Sequence, residues 1–296
     1  MTQFVKHDDL QGASRFVAAI CAWMIRPGRG PLPDPSEPTA TVTFVRFDGR
    51  VYALTAKHVP EELDLVTAKS GQLKGSYFCP AHQGAIVSGP FIVPPPLFPH
   101  RQPDVALRRV SETTLERLGK EAFEILPTAE MPWPVTHGMA FGFPTVDKKA
   151  ITDAGGERLS MPSVEAVAEC VSTSNDSDQI QYHSALPNPL ERGSLSGLSG
   201  GAVFWSTGTH YGLAGIVKEA LDVNPNEVEF GFYDTPKVNF ICQRVDYSSM
   251  ARWVEFYETN WQLERDKLNQ KAREEKALEV QEQLDGSLGL YGDTPA

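Results

Sequence analysis

Cysteine, long apolar runs and positive charge are all scarce in this chain of 296 residues. There are four cysteines (Cys21, Cys79, Cys170 and Cys242), far apart and with no CxxC pair. That excludes the common zinc and thiol-redox motifs and gives no disulfide framework. The apolar run over residues 16–25, bounded by Arg15 and Arg26, has ten residues. A membrane-spanning helix takes about 20. The run has the length of a signal-peptide core, but Asp8 and Asp9 precede it and no small-x-small cleavage pattern follows. It is apolar on both faces and reads as the first strand of a globular domain. Lys and Arg number 27 against 38 Asp and Glu, for a net charge of −11. A general nucleic-acid binder needs a basic face, so that class is set aside.

What remains is an ordinary globular composition, 41% hydrophobic and 22% charged. The 24 glycines and 23 prolines gather in loops near 27–38, 94–100, 172–178 and 222–226. Between the loops the pattern is short and strand-like. Residues 41–47 and 50–54 flank Asp48-Gly49 as a hairpin does. Further strands are expected over 84–87, 105–110, 138–143, 179–183, 202–205, 210–217 and 229–232. Many short strands with Gly/Pro turns make an all-β sandwich or barrel. The pattern changes after residue 246, and helix formers fill 248–284. Met250, Val254, Tyr257 and Trp261 recur at helical spacing and predict an amphipathic face docked on the body. The second half is charge-mixed, as in a solvated or partner-binding helix. Asp285-Gly286-Ser287 is the expected stop.

Three segments carry chemistry. Residues 53–59 (ALTAKHV) hold His58 at the end of a predicted strand. Residues 102–107 (QPDVAL) hold Asp104 at the start of another. Residues 193–204 (GSLSGLSGGAVF) hold Ser199 among glycines. A serine hydroxyl is a weak nucleophile until an adjacent base takes its proton. A neutral imidazole suits that task at neutral pH. A buried carboxylate holds the imidazole tautomer and stabilises the imidazolium. Glycines around the serine let the backbone turn tightly and aim N–H groups, here those of Gly197 and Ser199, at a developing oxyanion. Gly197–Gly201 also satisfies the G-x-S-x-G elbow of α/β-hydrolases. That fold places its histidine well after the serine, and only His210 follows Ser199.

These blocks resemble the chymotrypsin/trypsin-like serine peptidase superfamily. "LTAKHV" is similar to its Thr-Ala-x-His block, "PDVALRRV" to its Asp-hydrophobic-Ala-Leu block and "GLSGGAVF" to its Gly-x-Ser-Gly-Gly block. "HGMAFGFP" and "LAGIVKEA" resemble strands that flank its site. The order His58, Asp104, Ser199 agrees, with separations of 46 and 95 positions. The resemblance implies two packed six-stranded antiparallel β-barrels with a C-terminal helical extension. The first barrel spans 14–125, the second 126–245, the extension 246–285 and a flexible tail 286–296. It implies a serine endopeptidase working through an acyl-enzyme, without metal or organic cofactor, on a protein or peptide substrate.

Departures from the pattern are informative. Leu198 precedes the serine, where zymogen-type relatives carry an acid, so maturation by a new terminal amine is not expected. Gly193 stands where the P1 pocket floor is implied and is not acidic, so Lys or Arg preference loses its determinant. The implied substrate-pairing strand is Lys218-Glu219-Ala220; either Lys218 favours an acidic substrate side chain or both charges point to solvent. The rival class is an interaction protein on the same fold, inactive or gated by a partner at 248–284. Four scattered thiols and no leader point to a reducing compartment, the cytoplasm.

Overall fold

The computed structural model describes residues 5–22, 37–70, 75–81, 84–96, 102–127, 131–153, 156–172, 178–185, 196–207, 210–221 and 237–288. In chain order, β1 (Val5–Lys6) and a run of 3-10 turns (His7–Phe16) precede the first sheet. That sheet contains β2 (Val17–Ala22), β3 (Thr39–Phe47), β4 (Arg50–Thr55), β5 (Ser76–Cys79), β6 (Ala85–Ser88), β7 (Ala106–Val110) and β8 (Phe123–Glu124). Helix α1 (His58–Ser70) follows β4 and α2 (Glu112–Leu118) follows β7. The second sheet contains β9 (His137–Gly142), β12 (Val164–Cys170), β13 (Gln179–Ala185), β14 (Ala202–Ser206), β15 (His210–Leu221) and β16 (Lys237–Arg244). A separate hairpin, β10 (Lys149–Asp153) with β11 (Gly156–Ser160), lies between β9 and β12. Helix α3 (Tyr247–Leu288) ends the described chain.

The all-β class with a C-terminal helix agrees with the sequence reading. The two-sided apolar run becomes β2, buried at every position between β3 and β5. Asp48-Gly49 makes the two-residue turn of the β3–β4 hairpin, with Phe47 paired to Arg50. Both turn residues have positive φ, 47° and 70°, as this tight hairpin turn requires. The candidate strand at 229–232 lies outside the described residues.

The two sheets differ in closure. In the second, β15 is long enough to pair β14 along one part and β16 along another, which closes a six-stranded barrel. Strand β1 adds to the β15 edge. The first sheet runs β6-β5-β2-β3-β4-β7, with β8 parallel on β3. Among the described residues no ladder joins β6 to β7; a reciprocal bridge between Ile92 and Leu107 at 2.9 Å links the segment after β6 to β7. That segment carries Pro90 and Pro94-Pro95-Pro96, which lack the N–H a ladder needs.

Phe16 and Phe123 from the first half meet Phe204 from the second, Phe123 also meets Tyr211, and Phe141 packs on Phe204. Ring centroids lie 5.4 Å apart for Phe123–Phe204 and 5.5 Å for Phe204–Tyr211. Such pairs contribute about 0.5–1.5 kcal/mol each beyond area burial. Asp246 caps α3, its Oδ1 accepting the Ser249 N–H at 2.8 Å. Met250 and Trp253 are buried. From Val254 onward the chain forms a second compact unit. Within it Tyr257 and Trp261 stack at 5.9 Å. The helix runs through Gly286 to Leu288, since a glycine costs a helix only about 1 kcal/mol. All four cysteines are free. Burial pushes the Cys79 thiol up to about 12, which leaves it unreactive at neutral pH.

Candidate active site

His58 does not end a strand. Strand β4 stops at Thr55, and His58 opens α1. Pro60 and Glu61 in the first turn are a helix-start signal, since a proline there breaks no helical hydrogen bond. Asp104 lies just before β7. Its Oδ2 is 3.2 Å from His58 Nδ1, and its Oδ1 accepts the Lys57 N–H at 2.8 Å. The side chain of Asp104 is 17% exposed and that of His58 38%. The hydrogen bond to Asp104 raises the His58 pKa; burial opposes it, and the charges of Asp104, Glu62 and Glu61 add to it. For Asp104 burial pulls upward, but the His58 hydrogen bond, the His58 charge and the N–H groups of Lys57 and His58 outweigh it, so its pKa falls.

Ser199 sits on the turn before β14, in the second sheet. That turn is fixed by threonines from the first. Thr41 donates its N–H to Ser199 O at 3.0 Å and its hydroxyl to Gly197 O at 2.7 Å. The same hydroxyl accepts the Phe143 N–H at 3.0 Å. Thr43 Oγ1 donates to Gly200 O at 2.8 Å, and Thr55 Oγ1 to Thr41 O at 2.8 Å. All three threonines are fully buried. From the other side, Gly200 N–H donates to Val217 O at 2.8 Å and Val217 N–H to Gly201 O at 2.7 Å. The backbone therefore has no slack. Gly200 has φ 86° and a Cβ there would run into Thr41 O and Thr55 Oγ1; Gly197 has φ 102° and would meet Phe143 O. Only glycine fits these two positions. Among the described residues, neither the Gly197 nor the Ser199 N–H donates to a protein acceptor.

Replacing Thr41 with valine keeps the shape and deletes the hydroxyl, leaving the Phe143 N–H and Gly197 O unpaired. A stability loss of about 1–3 kcal/mol is expected, measured as a lower urea midpoint at unchanged slope. An unaltered midpoint would show that this staple contributes nothing.

His58, Asp104, Ser196, Ser199, Lys218, Glu219 and Ala220 line one cleft of about 310 Å³. The structure thus brings together all the sequence-predicted catalytic residues and three of the four substrate-binding candidates. The fourth, Gly193, lies outside the described residues. The β15–β16 register shifts between Val217 and Glu219, which makes Lys218 a bulged residue. A bulge re-aims the side chains around it. Among the described residues the Lys218 ammonium has no hydrogen bond or ion pair, while Glu219 is exposed. Sequence reasoning passed over Ser196, although it lies in the same Gly/Ser run, and Gln243, whose Oε1 accepts the Asp104 N–H at 3.2 Å.

The class defined by this fold and site is a mostly β protein of two main sheets, with a histidine–aspartate pair from segments beside β4 and β7 of the first and a serine from the turn before β14 of the second facing one cleft. No protein-family model and no curated protein sequence matches the chain. Similar solved structures include the thermostable serine protease AL20 from an extremophilic microorganism, 11% identical, over 81% of this chain and 95% of that one, at TM-score 0.44. Human heparin binding protein is 13% identical, over 88% and 97%, at TM-score 0.44. The serine protease domain of the Sesbania mosaic virus polyprotein is 13% identical, over 82% and 91%, at TM-score 0.37.

Proposed function

We propose that this chain is a chymotrypsin-like serine endopeptidase that hydrolyses peptide bonds through an acyl-enzyme. The observation that supports this best is the hydrogen-bonded His58–Asp104 pair facing the same cleft as Ser199, which sits on a turn that requires glycine at 197 and 200. Since Nδ1 of His58 faces Asp104, Nε2 is left to act on Ser199. Ser199 Oγ attacks the scissile carbonyl carbon while His58 Nε2 takes the hydroxyl proton. The oxyanion is received by the Gly197 and Ser199 N–H groups, and Asp104 stabilises the imidazolium. His58 then protonates the leaving amine. A water, deprotonated by His58, cleaves the ester and restores Ser199.

Lys218, Glu219 and Ala220 hold the substrate beside the site, and with glycine rather than an acid at position 193, Lys or Arg at P1 is disfavoured. Lys218, which has no ion pair among the described residues, selects acidic side chains. The Lys218→Glu variant is expected to lower cleavage of Asp- or Glu-containing peptides about tenfold relative to neutral ones, because a like charge replaces an attractive one. A peptide-library profile, read by mass spectrometry, checks this; unchanged ratios sink the assignment. The same experiment tests the function itself: fragments from the wild type and none from Ser199→Ala support it.

The pH dependence follows from His58. Only its neutral form accepts a proton, and its pKa lies above the ordinary 6.5. The acid limb of kcat/KM is therefore expected above pH 6.5, with activity rising as pH rises through it. A limb below 6.5 contradicts the pairing. The free thiols persist where glutathione keeps them reduced, which fits the cytoplasm. A regulatory partner at 248–284 is a further part of the proposal; α3 beyond Val254 is a unit of its own, with Leu263 exposed.

A further inference from the structure

Gln243 is a polar residue of β16 with only 2% exposure. Its side-chain amide bridges two loops. Oε1 accepts the Asp104 N–H at 3.2 Å, and Nε2 donates to Asp178 O at 3.0 Å. The orientation of the amide is forced, because a backbone N–H only donates and a carbonyl only accepts. Asp178 O also accepts the Arg244 N–H at 2.8 Å, so the far end of the bridge is itself anchored. On its backbone side Gln243 pairs with Ile216 of β15. The next residue, Val217, exchanges hydrogen bonds with Gly200 and Gly201 beside Ser199. One residue of the closed barrel therefore touches the backbone of Asp104 and neighbours the strand that holds the nucleophile turn.

We propose that Gln243 is a positioning residue: it ties Asp104, which lies just before β7 of the first sheet, to the barrel that carries Ser199, and so keeps the Asp104 carboxylate on His58. Asp104 needs such a tie. It lies outside any strand and follows Pro103, which donates no N–H. Displacements well below a hydrogen-bond length at such a carboxylate are costly to rate. This inference rests on the triad reading given above, and its test separates the two.

The test uses the full chain with 15N-labelled histidine. NMR gives the His58 titration, and a fluorophosphonate probe gives the rate of Ser199 labelling. Gln243→Met keeps the volume and removes both hydrogen bonds. It is expected to lower the His58 pKa and to slow labelling roughly 10- to 100-fold. In an Asp104→Asn background, where His58 has already lost its carboxylate, the same substitution is expected to change the labelling rate less than about twofold. A merely structural role instead slows labelling by the same factor in both backgrounds, and that result overturns the proposal. So does an unchanged His58 titration. Gln243→Glu keeps an acceptor for the Asp104 N–H and carries the test if the methionine variant does not fold. It should hold the His58 pKa above its ordinary value, and loss of that elevation overturns the proposal. Failure of the wild type to label refutes the peptidase reading instead, while the His58 titrations still report on Gln243.

Discussion

Replacing Ser199 with alanine is expected to cut peptide hydrolysis by about 10⁶-fold, the scale on which a lone nucleophile is lost in such a triad. The fold should survive. The backbone of Ser199, not its side chain, holds the turn, through the Thr41 N–H at 3.0 Å. Neighbouring Gly197, Gly200 and the three threonines are untouched, so thermal midpoints should agree closely. A residual rate about 10³–10⁴ above water is expected, because the two amides and the cleft remain to bind the transition state. A variant with near-normal turnover would remove Ser199 from the chemistry, and with it the acyl-enzyme.

Asp104→Asn should cost about 10⁴-fold in kcat with little change in substrate binding. The local geometry explains why so conservative a change is severe. The Lys57 N–H, 2.8 Å from Oδ1, requires an acceptor. The asparagine must therefore keep its carbonyl on Lys57 and turn its NH2 toward His58. Nδ1 of His58 then has to accept, which puts the proton on Nε2, the atom that should be taking one from Ser199. The loss of the carboxylate also removes the main cause of the raised His58 pKa. The acid limb should move down in pH even as the rate falls. A variant with a reduced rate and an unmoved limb would mean that Asp104 acts only by shape.

Much of the local backbone around the candidate site was legible in the sequence because each turn is set by its own residues. The hairpin at Asp48-Gly49 is set by two residues that accept positive φ. The turn at 197–201 is glycine-rich because threonine hydroxyls and carbonyls occupy the space where side chains would be. Other features were present but weaker. Helix α2 is bounded by Ser111, whose hydroxyl accepts the Thr114 N–H, and by Gly119 at φ 61°; these are ordinary caps, overlooked amid strand-like neighbours. Strand β12 (Val164–Cys170) alternates buried and exposed positions, yet its Ala and Glu content favours helix on propensity alone. The Gln243 bridge was not legible at all. Nothing in the residues of β16 says that a glutamine near its end points inward at a loop 139 positions earlier in the chain. That depends on which strand face meets the first sheet, a tertiary fact.

The central claim is that Ser199 is a nucleophile activated by His58. The most direct measurement is covalent labelling of the full chain by a fluorophosphonate probe, followed by peptide mapping. The account predicts a single adduct on Ser199, absent from Ser199→Ala and slowed at least about 10³-fold in His58→Ala, where no base takes the proton. No adduct on Ser199 in the wild type, or labelling that persists unchanged without His58, would contradict it.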